Sequence, residues 1–113
     1  MLVPLPQGLY RDYDLTTRAV LGALYNRIRL SGYNHIGDPT GQAWYDSDEQ
    51  SVYCIYAQQD LADMVGVSVR SIRRALDRLH ADSFVWWRKC QYGGACRYYL
   101  DARIIQDLAG HWQ

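Results

Sequence analysis

No wholly apolar run in this sequence is longer than a few residues, so none of its segments can span a bilayer. The opening Met1-Leu2-Val3-Pro4 lacks the basic and apolar regions of a secretory signal. Cysteine is scarce, and Cys54, Cys90 and Cys96 are odd in number. Without an export signal, that favours reduced thiols in a cytoplasmic protein over a disulfide framework. Repeats, charge blocks and low-complexity linkers are missing as well.

The signatures of catalysis and of cofactor binding are missing too. Neither GxGxxG nor GxxxxGK(S/T) occurs, so there is no glycine loop to cradle a phosphate. A CxxC pair is absent and no His lies within ten residues downstream of Cys96, which argues against structural zinc. His35, His80 and His111 are far apart, and none adjoins a nucleophile motif. Asp46-x-Asp48-Glu49 lacks the ligand ladder and glycine of a calcium loop and reads as a solvated acidic turn. The expectation is a non-enzyme without metal or cofactor.

What is present is one domain's worth of ordinary globular chain. There are 113 residues, 49% of them hydrophobic and 21% charged. A chain of this length buries roughly two-thirds of the surface it exposes when unfolded, enough for one core. The net charge is zero but unevenly spread. Residues 1–65 hold four Arg against seven Asp and Glu49, whereas residues 66–103 hold seven Arg and Lys89 against three Asp. Such asymmetry gives a small domain one basic face, and that local field matters more than the total.

Along the chain, residues 1–15 read as an extended arm containing Pro4, Pro6 and Gly8. Thr16 and Thr17 offer cap hydroxyls for a helix over 16–31, with Val20, Leu21, Leu24, Tyr25 and Ile28 at helical spacing and Ser31-Gly32 as its stop. Residues 32–51 are expected to be irregular, around the turn signal Asp38-Pro39-Thr40-Gly41. Residues 52–56, β-branched and aromatic, predict a short strand. Two short helices follow over 58–80. Two β-prone runs within 84–100 then flank Gly93-Gly94, which predicts a hairpin. A closing helix over 101–112 would turn Ile104, Ile105 and Leu108 inward. The order helix, strand, helix, turn, helix, hairpin predicts a mostly α chain with a small β-hairpin (α+β), a winged helix-turn-helix filling residues 1–113.

The stretch 58–72 carries the sharpest signal. A helix-turn-helix needs a small residue where its helices cross, a turn residue tolerant of positive φ, and a branched apolar lock on the second helix. Ala62, Gly66 and Ile72 supply them, and Ser68 is placed to cap the second helix. At about 100° per residue, Val69, Ile72, Ala75, Leu76 and Leu79 share one arc. Arg70, Arg73, Arg74 and Asp77 lie opposite, with Ser71 and Arg78 along one flank. An arginine-rich face on such a helix suits the DNA major groove. Arg70, Ser71 and Arg74 are candidates for base or phosphate contacts near the groove floor, and Arg73 and Arg78 for flanking phosphates. The alternative is a solvated face on which Asp77 pairs with Arg73 or Arg74. The hairpin adds Arg88, Lys89 and Arg97 as a basic wing. Among its aromatics, alternation places Phe84 and Trp86 toward the helices and leaves Tyr92 as the ring free for single-strand stacking. The candidate DNA-binding set is therefore Ser68, Arg70, Ser71, Arg73, Arg74, Arg78, Arg88, Lys89 and Arg97.

Over residues 5–100 the chain resembles the N-terminal domain of the RepA-type plasmid replication initiators of low-GC Gram-positive bacteria. The likeness is carried by Leu5-Pro6, Leu15-Thr16-Thr17-Arg18-Ala19-Val20-Leu21, Arg27, Leu30-Ser31 and Asn34. It continues through Trp44-x-Asp46, Val52-Tyr53 to Tyr56, Leu76-x2-Leu79 and Arg97-x-Tyr99. Residues 35–43 look like an insertion. Ser83 stands where the family usually has Gly, which predicts a strained or reshaped turn, and Cys96 stands where Asn is common. The resemblance implies sequence-specific binding of double-stranded DNA at repeated origin sites, commonly as a homodimer. It also implies a C-terminal region, beyond these residues, that recruits host replication proteins, so the chain is expected to be a fragment of a longer protein. Leu2, Val3 and Leu5 in the arm are candidates for the joining surface. A winged-helix transcriptional regulator and a winged protein-interaction module without DNA contact are the rival expectations.

Overall fold

The computed structural model describes residues 12–37, 45–89 and 95–111, and these form the expected winged helix-turn-helix of α+β class. Helix α1 (Leu15–Gly37) leads to β1 (Tyr45–Asp46), β2 (Ser51–Ala57), α2 (Gln58–Val65), α3 (Val69–Ala81), β3 (Val85–Lys89), β4 (Ala95–Leu100) and α4 (Ala102–His111). The strands pair antiparallel in the order β1-β2-β4-β3. Residues 1–11 of the arm, Trp44, Cys90, Tyr92 and the Gly93-Gly94 tip lie outside the described residues, whereas Leu15, at the end of the expected arm, already belongs to α1.

Helix α1 is central. Val20, Leu21, Leu24, Tyr25 and Ile28 are all buried, so the apolar period read from the sequence is the stripe that faces α3 and β2. Two details at its ends correct the sequence reading. The cap is Asp14 rather than a threonine: Asp14 Oδ1 accepts from the Thr17 N–H at 2.7 Å, and Thr17 itself is buried. That leaves the Asp14 carboxyl below its ordinary value, chiefly through the Thr17 side chain and then the Thr17 N–H. At the other end the helix passes through Ser31-Gly32 and stops at Gly37. A glycine inside a helix costs about 1 kcal/mol relative to Ala, which a helix already anchored by the buried residues between Thr17 and Ile28 can absorb.

The sheet has two distinct faces. Cys54, Tyr56, Val85, Cys96, Tyr98 and Leu100 join the core under the helices, and Trp87 packs against them. Register places Trp86 beside Tyr99 and Tyr53 beside Tyr99, so these rings share the opposite face. Trp86 therefore points away from the helices, contrary to the expectation, because strand β3 begins at Val85 and Val85 takes the inward position.

That outer face is closed by the acidic segment, which is not merely solvated. Asp46 accepts from the Tyr99 hydroxyl at 2.6 Å and from the Asp48 and Glu49 N–H groups at 3.0 and 3.3 Å. Glu49 accepts from Trp86 Nε1 at 2.8 Å. Trp86 stacks on Tyr99 with 5.5 Å between centroids and 6° between planes. The Tyr99 hydroxyl and three further partners hold the Asp46 carboxyl below its ordinary value. Burial and the same carboxylate push Tyr99 up to about 12.

Candidate nucleic-acid interface

The helix-turn-helix closes as its residue types require. Ala62 is buried at the crossing, and Gly66 takes φ 82. The N–H groups of Gly66 and Val67 then both reach the Ala62 carbonyl, at 2.8 and 3.1 Å. A side chain at that backbone conformation would be strained although space is open around it. Ser68 caps α3: its Oγ accepts from the Ser71 N–H at 3.1 Å and lies 3.1 Å from Ser71 Oγ. Ile72, Ala75, Leu76 and Leu79 are buried on one side of α3, which fixes the helix and turns its arginines outward.

The end of α3 has its own turn. The Ser83 N–H bonds the His80 carbonyl at 2.9 Å and the Phe84 N–H bonds the Leu79 carbonyl at 3.0 Å, the paired closure of a Schellman motif. Ser83 sits at φ 62. The turn keeps the shape a glycine would give and carries the strain of a side chain there. Tyr13 braces it by donating its hydroxyl to Asp82 and packing edge-on to Phe84.

The candidate residues divide into three groups. Arg70 and Arg74 are exposed on α3 and make no hydrogen bond or ion pair among the described residues. Asp77 pairs with neither Arg73 nor Arg74, so the solvated-pair alternative is not what the helix adopts. Arg78 instead meets Asp82 at 3.5 Å and lies over the Tyr13 ring. Arg73 donates its Nε to Gln58 Oε1 at 3.0 Å, and Lys89 shares with it a cleft of about 560 Å³ between α2, α3 and the base of the wing.

The third group is placed elsewhere. Arg88 and Arg97 are cross-strand partners on the outer face of the sheet. Arg88 pairs with Glu49, and Arg97 pairs with Asp46 at 3.5 Å while lying over the Tyr53 ring. The wing thus splits its cations: Lys89 toward the helix-turn-helix, Arg88 and Arg97 into the acidic segment. Sequence reasoning missed those two carboxylate partners, and it missed Gln58 and Gln59 in the cleft wall. Gln58 and Arg73 are fifteen residues apart and meet once the helix pair has closed.

Among the described residues no group of His, Cys, Asp and Glu could hold a metal ion, and no helix is long and apolar enough to cross a membrane. Cys54 and Cys96 are buried free thiols, and burial pushes Cys54 up to about 12.

No family model matches the chain, and no curated protein matches it. Solved structures do share its fold. An N-terminal domain of a DNA-binding protein superposes with a TM-score of 0.65 at 16% identity, covering 98% of this chain and 86% of that one. An MDR initiator gives 0.64 at 18% identity over 98% and 85%. A Rep–DNA complex gives 0.64 at 15% identity over 100% and 88%. The chain has the winged-helix fold of these replication-initiator and DNA-binding proteins.

Proposed function

We propose that the chain binds duplex DNA in a sequence-specific manner, as the DNA-binding domain of a plasmid replication initiator. The observation that carries this reading is the state of Arg70 and Arg74. They project from the second helix of a helix-turn-helix, four residues apart, with no partner among the described residues. Like charges at that spacing repel by a few tenths of a kcal/mol, and an anionic ligand removes the penalty. The fold shared with a Rep–DNA complex and an MDR initiator supports the same reading.

On this reading Arg70, Ser71 and Arg74 enter the major groove, and Arg73, Arg78 and Lys89 hold the flanking backbone. Arg88 and Arg97 reach DNA by exchanging Glu49 and Asp46 for phosphate. Ser68 fixes the helix end and lies at its edge. The domain acts by binding, in the cytoplasm, with no catalytic step of its own. A homodimer on repeated origin sites and a separate region that recruits host replication proteins complete the proposal.

Fluorescence anisotropy tests it, with duplexes tiled across the protein's own replicon and a scrambled duplex, each at two salt concentrations. Tight, salt-dependent binding to fragments sharing a repeat is expected. Arg70→Ala should weaken the preferred site by about 1–3 kcal/mol and leave the scrambled duplex unchanged. Absence of binding to every duplex at low salt overturns the reading and favours a protein-interaction module.

A further inference from the structure

The cations of the domain differ in what already holds them. Arg70 and Arg74 make no hydrogen bond or ion pair among the described residues, and the cleft wall that includes Lys89 contains no carboxylate. Arg88 and Arg97 stand opposite each other in the ladder, one rung before Lys89 and Cys96, the last that joins β3 to β4. Each has its own carboxylate in the segment 46–49: Glu49 for Arg88, and Asp46 at 3.5 Å for Arg97.

The two acids are anchored by more than those charges. Glu49 uses both oxygens, Oε1 for the Trp86 indole N–H at 2.8 Å and Oε2 for Arg88. Asp46 takes the Asp48 and Glu49 N–H groups on Oδ1, and the Tyr99 hydroxyl and Arg97 on Oδ2. Trp86 and Tyr99 are themselves stacked. The Asp46 and Glu49 side chains are only 13% and 16% exposed, against 44% and 64% for Arg97 and Arg88. The carboxylates are therefore the fixed members of the pairs and the guanidiniums the accessible ones. A carboxylate presents to a guanidinium the charge sign and paired oxygens of a phosphate.

We infer that the segment 46–49 is a built-in phosphate mimic, an autoinhibitory contact in which Asp46 and Glu49 compete with the nucleic-acid backbone for Arg97 and Arg88. The inference rests on the DNA-binding reading above and adds to it a competitor within the chain. DNA gains the two wing arginines only where their ion pairs break, and the anchored acids remain beside them as negative charges. Phosphate contacts carry no sequence information. The competition therefore lowers affinity for every duplex alike, and the contacts made by α3 supply a larger share of what remains.

Asp46→Asn with Glu49→Gln tests it on the whole chain, because each amide keeps an oxygen for Tyr99 or Trp86 and loses the charge that holds the arginine. At low salt the double variant should bind the preferred and the scrambled duplex about two- to thirtyfold more tightly than wild type, the worth of two exposed ion pairs. Its log–log salt slope should steepen by up to about 1.8, for two phosphates. Adding Arg88→Gln and Arg97→Gln should remove both gains. Asp48→Asn makes the same charge change on an exposed side chain with no arginine partner among the described residues, and it should move affinity less than Asp46→Asn or Glu49→Gln alone. In the otherwise unchanged protein, Arg88→Gln should cost less than half the slope that Lys89→Gln costs. Equal gains from Asp48→Asn, or equal slope losses at Arg88 and Lys89, overturn the contact. Unchanged double-variant binding in a protein whose preferred site is weakened by Arg70→Ala overturns the contact and leaves the DNA reading standing. Binding to no duplex by wild type and double variant alike overturns the DNA reading itself.

Discussion

Ser68 is where folding and binding can be pulled in opposite directions. Its Oγ accepts the Ser71 N–H at 3.1 Å and lies 3.1 Å from Ser71 Oγ, while its carbonyl accepts the Ile72 N–H at 3.1 Å. Ser68→Ala removes the side-chain bonds and keeps the carbonyl bond. Loss of an N-cap costs about 1 kcal/mol, within a range of 0.5–2, and the exposed position favours the lower half. For a domain of this length that is a fall in Tm of roughly 2–4 °C. Ser68→Asp keeps an acceptor at the same place and adds a negative charge at the positive end of α3, worth about 0.3–1 kcal/mol. It should melt at or above the wild-type temperature. The same charge beside a DNA phosphate repels it: at about 6 Å, with screening between that of water and a protein surface, binding falls about three- to tenfold. The loss should shrink as salt rises. Thermal unfolding by circular dichroism and anisotropy on the preferred duplex measure the two effects side by side. A Ser68→Ala protein with unchanged Tm refutes the cap, and a Ser68→Asp protein that binds DNA like wild type refutes the position of the α3 N-terminus against DNA.

Ile72, fully buried at the centre of the α3 stripe, should lose about 2–5 kcal/mol of stability on truncation to Ala. Urea unfolding measures it, and a loss below about 1 kcal/mol would mean that α3 is not locked by this side chain. Ser83→Gly should stabilise by about 0.5–1 kcal/mol, because relief of left-handed strain exceeds the extra backbone entropy of glycine; a lower urea midpoint contradicts this. The Asp46 carboxyl lies below its ordinary value of 3.8 in the folded protein. Its contribution to stability is therefore full above the ordinary carboxylate range and is lost as pH falls through the lowered folded value. Urea midpoints at pH 7 and pH 3 should converge more closely in Asp46→Asn than in wild type, and equal pH dependence in the two proteins would exclude Asp46 as a source of acid sensitivity.

Local physics was legible in the chain itself. The 3.6-residue period marked the buried stripes of α1 and α3. Gly66 marked the positive-φ turn and Ser68 the cap. Each is decided by neighbours within a few residues, so sequence order carries the information. The arginine face of α3 was equally readable, because the arc opposite a buried stripe is exposed. Tertiary structure decided the rest. Which face of β3 turns inward depended on a one-residue choice between Val85 and Trp86, and strand alternation alone cannot make that choice. The partners of Arg88 and Arg97 came from Glu49 and Asp46, some forty to fifty residues away, through the pairing of β1 with β2 and of β2 with β4. The cleft that joins Arg73 to Lys89 exists because the wing folds back toward the start of α2. Charge type and helical period are written in one dimension; which charges share a cleft and which are already neutralised is settled when the sheet closes on the helices.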